Sequence, residues 1–298
     1  MAEPVTADDL FDAEFLESLQ RLRLVAQRVP RGGRFAEQRS KALGSGLEFQ
    51  DYRPYSSGDD LRAVDWNIYR RLGRVFLRLF EELEDLPVYL LPDISASMWM
   101  EESPRAHACL RSAMAFAAIA LAQHDRVGVF PFAEDLKPLV RPRSGWNTLP
   151  LFAQAMAKLE PAGATDLGHA LRRLNGMQLR SGLVVVVSDF FDPNGVEAMI
   201  AALKTVRHKL LLVQLVHPSD RDPQLQGDLR LRDCESGEEQ DITVTATVLS
   251  RYHEAYDHFT SSLTEFAQKR RIGLLQLNVE KPVVEQIASL FEGGRYRA

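Results

Sequence analysis

Apolar residues recur along the chain at two different periods, and the changes of period mark three zones. From about residue 8 to 30, Leu10, Phe15, Leu16, Leu19, Leu22 and Val29 fall mostly three or four apart, the spacing of one helix face. Acids gather at the start of this stretch and arginines near its end, as the helix dipole favours, and Pro30 with Gly32 and Gly33 closes it. Between residues 44 and 84 the chain is dense in Gly, Asp, Arg and aromatics, with short strand-like alternation over 47–49 and 75–80. From Pro87 onward, apolar strands alternate with helical patterns. The predicted strands are 88–92, 126–132, 183–188, 209–216 and 272–279, and the predicted helices 104–123, 147–159, 167–174, 195–205, 249–269 and 282–290. Val184 to Val187 form an unbroken β-branched run, which suits a strand buried on both faces.

This alternation predicts an α/β fold, an open and mostly parallel sheet with helices on both faces. Residues 136–140 follow the preceding strand too closely for a helical crossover and are expected to form an antiparallel edge strand. Residues 230–232 and 242–246 flank the polar stretch CESGEEQ and predict a hairpin, at about 228–247, inserted after the 209–216 strand. The expected organisation is a helix and linker over 1–34, an accessory segment over 35–84, and the α/β domain over 85–298. There is no internal repeat.

Composition narrows the class. With 298 residues, 45% hydrophobic and 26% charged, the chain is neither a disordered tail, a collagen-like fibre nor a disulfide-stapled miniprotein. Its net charge of −5 argues against a basic nucleic-acid binder, although residues 21–41 carry seven basic side chains against one acid, Glu37. That stretch is either an anion- or partner-docking stripe or a solvated helix face running into a loop. Cys109 and Cys234 lie far apart without metal-ligand spacing, as expected of reduced thiols. The first residues lack a secretory pattern, and the longest apolar run, 113–122, is about half the ~20 residues a membrane span needs. A cytoplasmic protein without membrane insertion is expected.

The candidate chemistry starts at Asp93-Ile94-Ser95-Ala96-Ser97, directly after the 88–92 strand. In an open parallel sheet, ligands bind beyond the carboxyl ends of the strands, and alternate positions of a loop can converge three short oxygen side chains on one point. A carboxylate and two hydroxyls are hard ligands, suited to Mg²⁺ or Mn²⁺. Thr165, in a glycine-containing loop that opens a helix, and Asp189, at the end of the buried strand, complete a five-oxygen set from three loops. Such a set leaves a coordination position open to a partner's Asp or Glu. The plainer alternative is that Asp93 and the serines cap the following helix.

These five residues match the metal-ion-dependent adhesion site of von Willebrand factor A domains position by position. The resemblance implies a six-stranded sheet with one short antiparallel edge strand. It also implies that Ser95, Ser97 and Thr165 coordinate the ion, Thr165 directly or through water, with Asp93 and Asp189 acting mostly through water. Upstream, Arg53, Tyr55, Gly58, Asp59, Asp60, Arg62, Asp65, Trp66 and Arg70 form a long, specific block. It resembles the hallmark of the bacterial domain-of-unknown-function family 58, from about residue 35 to the C-terminus. That resemblance implies an adaptor for a MoxR-type AAA+ ATPase or its protein client, engaged through an acidic side chain, in maturation or assembly of other proteins. Read from its residues alone, the block is either a clamp, with ion pairs, a Gly58 turn and a Trp66 anchor, or a small nucleotide or peptide pocket.

Enzymatic alternatives find less support in the motifs. A haloacid-dehalogenase-type site would need a second Asp where Ser95 stands, and there is no GxSxG, GxxxxGK[ST] or HExxH. His169 either approaches the site from one turn beyond Thr165 or is a surface residue. Met98, Trp99 and Met100 either form an apolar lip or belong to the core. The leading expectation is a non-enzymatic, metal-dependent protein-binding adaptor. The alternatives are a metal-dependent phosphohydrolase with His169 or Asp166 as base and a metal-free scaffold binding through 21–41.

Overall fold

The structure is a computed structural model that describes residues 10–28, 47–56, 64–82, 86–100 and 105–292. The chain forms two compact units, Arg31–Asp85 and a larger one that joins Met1–Pro30 to Leu86–Ala298. Helix α1 (Ala13–Arg28) belongs to the larger unit.

In the smaller unit, β1 (Leu47–Pro54) pairs antiparallel with β2 (Phe76–Glu82), with a bulge between Phe49 and Asp51. Between the strands lies α2 (Trp66–Leu72), which the hydrophobic pattern did not predict. Its boundaries are nevertheless chemical. Asp65 Oδ1 accepts from the backbone N–H groups of Asn67 and Ile68, and Gly73 ends the helix at φ 67°, a conformation that favours glycine.

The larger unit is built on a six-stranded sheet. Its strands are β3 (Pro87–Pro92), β4 (Arg126–Val129), β5 (Val140–Arg143), β6 (Leu183–Ser188), β7 (Lys209–Val216) and β10 (Gly273–Asn278). The spatial order is β10-β7-β6-β3-β4-β5, parallel throughout except for the antiparallel edge strand β5. The remaining strands, β8 (Gly227–Arg232) and β9 (Glu239–Val244), form the inserted hairpin.

Helices cover both faces: α3 (Arg105–Ala122), α4 (Leu149–Met156) and α8 (Val283–Glu292) with α1 on one side, and α5 (Leu167–Gly176), α6 (Val196–Leu203) and α7 (Ala246–Arg270) on the other. The two-residue strand period separates the two cores. Val88, Leu90, Val185 and Val187 pack with α3, while Tyr89, Leu91, Val184 and Val186 pack with α5. This is the von Willebrand factor A-like architecture expected from the motifs. The central strands approach closely where β6 begins, since a Cβ on Gly182 would lie 2.1 Å from the carbonyl oxygen of Pro87.

One element starts later than its pattern implied. The edge strand is Val140–Arg143, not 136–140, because residues 131–139 turn back on themselves first. Lys137 N–H donates to the Pro131 carbonyl, Phe132 bridges to Leu136, and Leu136 is spent as a buried core residue. Among the described residues no helix is long and apolar enough to cross a membrane.

Candidate metal centre

The five oxygen-bearing residues expected to form one site come from three loops at the carboxyl end of the sheet, all within the larger unit. Asp93 follows β3, and its backbone continues the pairing: its N–H donates to Val187 O, and Ile94 N–H donates to Phe132 O. The Thr165 loop is joined to this segment by two further bonds, Ala96 N–H to Gly163 O and Ala162 N–H to Ile94 O. Gly163 sits at φ 61° in that turn, and Asp166 caps α5 by accepting from His169 N–H. Asp189 directly follows β6. The chain thus brings these loops together with backbone bonds, before side chains contribute.

Asp93 is buried and fully engaged. Its Oδ1 accepts from Ser95 N–H at 2.9 Å and its Oδ2 from Ser188 Oγ at 2.6 Å. Ser95 Oγ lies 3.0 Å from Ser97 Oγ and makes no capping bond to the short 3₁₀ turn Ala96–Trp99 that follows. Asp93 alone therefore plays the turn-stabilising role; the serine hydroxyls face each other instead. Asp189 Oδ1 accepts from Phe191 N–H, and its Oδ2 lies 3.3 Å from Arg105 Nη1. Beneath the loop, Cys109 Sγ donates to the carbonyls of Asp93 and Val187, and burial pushes its thiol well above the ordinary range, so it is a floor rather than a ligand.

A residue outside the expected set completes the cluster. Glu235, in the turn of the β8–β9 hairpin, accepts at Oε1 from Ser97 Oγ (2.9 Å) and from Thr165 Oγ1 (3.0 Å). Its Oε2 accepts from Thr165 N–H at 3.0 Å. No periodic pattern picks this glutamate out of the acid-rich CESGEEQ stretch.

The donor set fits a hard divalent ion. All of its atoms are oxygens. Octahedral Mg²⁺ with bonds of 2.0–2.1 Å has adjacent ligands about 2.9 Å apart, and the three hydroxyl–hydroxyl and hydroxyl–carboxylate separations are 2.9 to 3.0 Å. The same distances serve as hydrogen bonds without an ion. Burial pushes Asp93 up to about 6, with the negative charge of Glu235 adding to it, and pushes Asp189 up to about 7, with the charge of Asp93 adding to it. Buried carboxylates that repel one another are a favourable place for a cation. Among the described residues no group of three His, Cys, Asp or Glu side chains is arranged to hold a metal, so an ion here depends on the serine and threonine hydroxyls.

Other expectations resolve plainly. His169 is exposed and its Nδ1 lies 2.7 Å from Glu134 O. Met98 is a core residue, Trp99 packs against the core and Met100 is exposed, so the three do not form a continuous lip. In the upstream block, Asp65 is buried as the helix cap and accepts from Tyr52 Oη, Tyr55 is half-buried, and Arg53 and Arg70 are exposed. Trp66 is not the apolar anchor expected of it. It is 56% exposed at the first position of α2, edge-on to Tyr69, because that short helix buries none of its residues. Gly58, Asp59, Asp60 and Arg62 lie outside the described residues, as does most of the basic stretch 21–41.

The family model described as Protein of unknown function DUF58 matches residues 51–260. The uncharacterized protein Rv1480 of Mycobacterium tuberculosis is 26% identical over 245 residues, spanning 79% of this chain and 76% of its own length. The uncharacterized protein MAV169 of Mycobacterium avium is 23% identical over 130 residues, 44% of this chain and 76% of its own. Among solved structures, the conserved hypothetical protein BatB from Bacteroides thetaiotaomicron is similar at TM-score 0.41 and 16% identity, covering 71% of this chain and 98% of BatB. The ArnB paralog VWA2 from Sulfolobus acidocaldarius is similar at TM-score 0.31 and 16% identity, covering 48% of this chain and 38% of its own.

Proposed function

The chain belongs to the DUF58 family, and from that premise we propose that its larger unit is a divalent-metal-dependent protein-binding module without catalytic activity. The observation that carries this reading is the convergence of Ser95, Ser97 and Thr165 hydroxyls with the buried carboxylates of Asp93 and Asp189 at the carboxyl end of one sheet. Ser95, Ser97 and Thr165 would hold Mg²⁺ or Mn²⁺, while Asp93 and Asp189 balance its charge. When bound, the ion supplies a coordination position for a carboxylate of a partner protein.

The protein's own residues do the rest. Ser188 and the Ser95 N–H hold Asp93 in place, and Arg105 holds Asp189. A phosphohydrolase would need a general base here; of the two groups considered for that role, Asp166 is committed to capping α5, and the exposed His169 donates from Nδ1 to the Glu134 carbonyl. The family resemblance further points to a MoxR-type AAA+ ATPase, or its protein client, as the partner.

The test is a binding assay between the full chain and a MoxR-type ATPase in Mg²⁺, in EDTA, and with Asp93→Ala. Binding that needs Mg²⁺ and is lost in the variant supports the module. Binding that survives EDTA but falls with added salt replaces it with an electrostatic scaffold. Turnover of a generic phosphate ester, lost in Asp93→Ala, replaces it with a phosphohydrolase.

A further inference from the structure

The β8–β9 hairpin is an unusual appendage. Its strands are largely exposed, and its side chains pair mainly with one another: Arg230 with Asp241, and Thr243 with Asp228. Two strands alone are marginally stable in water. Among the described residues, the hydrogen bonds that tie this hairpin to the rest of the unit are the three made by Glu235.

The turn is shaped to present that residue. Asp233 Oδ1 accepts from the N–H groups of both Glu235 and Ser236, Gly237 takes φ 74°, and its N–H closes the turn on the Asp233 carbonyl. Glu235 is half-buried while its neighbours in the turn are exposed. Its Oε1 is shared by the two hydroxyls, Ser97 and Thr165, that come from different loops of the centre.

We propose that Glu235 is a ligand of this centre supplied in cis, holding the coordination position that an incoming partner carboxylate takes, so that the hairpin tip and the partner compete for one place. The role rests on the metal-dependent reading above and deepens it. The chemistry is direct. Adjacent ligands of an octahedral Mg²⁺ lie about 2.9 Å apart, and Glu235 Oε1 stands 2.9 and 3.0 Å from two hydroxyl ligands at once. A second carboxylate brought to that spot meets both steric exclusion and like charge. A hairpin whose hydrogen bonds to the rest of the unit, among the described residues, come from one side chain is also an element that can leave without unfolding the sheet.

The experiment uses the full chain with Mn²⁺ alone as probe. Electron paramagnetic resonance gives the affinity, and water-proton relaxation reports the water on the bound ion. Glu235→Ala should bind Mn²⁺ about tenfold more weakly, the scale of one lost charged contact, and its bound ion should relax water more strongly. Acetate should lower that gain in Glu235→Ala and leave the wild type unchanged.

If the wild type binds Mn²⁺, loses it in Asp93→Ala, and matches Glu235→Ala in affinity and relaxation, the cis-ligand role is overturned and the centre stands. Tighter Mn²⁺ binding by Glu235→Ala would also overturn it, making Glu235 a plug rather than a ligand. Acetate acting equally on both proteins overturns the competition. No saturable Mn²⁺ binding by the wild type removes the metal reading itself, and the role of Glu235 with it.

Discussion

Arg105 reaches Asp189 across the top of the sheet, its Nη1 3.3 Å from Oδ2, while its other terminal nitrogen pairs with Asp220. The three side chains are only 12%, 6% and 7% exposed. Arginine opens α3, where the helix dipole disfavours a cation, and these pairs offset that cost. One guanidinium thus joins the start of α3 to the loops after β6 and β7. Removing it strands two buried carboxylates, which costs far more than an exposed pair does. Arg105→Met should lose about 3–5 kcal/mol in urea unfolding, and adding Asp220→Asn should restore part of the loss. A change within about 0.5 kcal/mol, as at an ordinary surface site, would contradict the burial of the pair.

The start of α1 carries a pH-dependent anchor. Asp12 Oδ1 accepts from Phe15 N–H at 2.7 Å, and its Oδ2 lies 2.7 Å from Arg111 Nη2, whose Nε donates to Leu10 O. The Phe15 N–H first, and then the Arg111 charge, hold the Asp12 carboxyl below its ordinary value despite some burial. Such a group adds stability that is complete above the unfolded-state value and is lost as pH falls through the lowered folded one. Asp12→Ala should therefore cost about 1 kcal/mol at neutral pH, the usual worth of a helix cap. Its unfolding free energy should converge on the wild type's in acid. A gap that persists unchanged at low pH would show that the carboxylate's charge is not what stabilises α1.

Much of the fold and of the centre was legible because both follow periodicities and topology. The unbroken Val184–Val187 run marks a doubly covered strand, and it is one: the four valines alternate between two cores. Asp93 and Asp189 come directly after strands, and Thr165 directly before a helix cap, so the rule that sites lie beyond strand ends points to the three loops that carry them. Glu235 was not legible. It is separated from Thr165 by 70 residues and lies among other acids, and only the turn made by Asp233 and Gly237 distinguishes it from its neighbours. Trp66 misled for the opposite reason: a large aromatic ordinarily signals burial, but a seven-residue helix with no buried side chain cannot provide it.

Ser188 went unrecognised because a serine at the end of an apolar strand looks like a boundary residue. In the structure it is 1% exposed and works in both directions: its Oγ donates to Asp93 Oδ2 at 2.6 Å and accepts from Phe190 N–H at 2.9 Å. Phe190 holds φ 65°, which a phenylalanine adopts only when its surroundings enforce it. Ser188 therefore fixes the turn that carries Asp189 and the carboxylate of Asp93 with one hydroxyl. Ser188→Ala removes that donor and that acceptor from a buried place, a cost of about 1–3 kcal/mol. A purely structural role would show only as this shift in the unfolding curve. If Ser188 positions Asp93 for the ion, the folded variant should also bind Mn²⁺ several-fold more weakly than the wild type, with no change in the number of sites. Unchanged Mn²⁺ affinity alongside the lost stability would assign Ser188 to the fold alone and place the orientation of Asp93 with the Ser95 N–H.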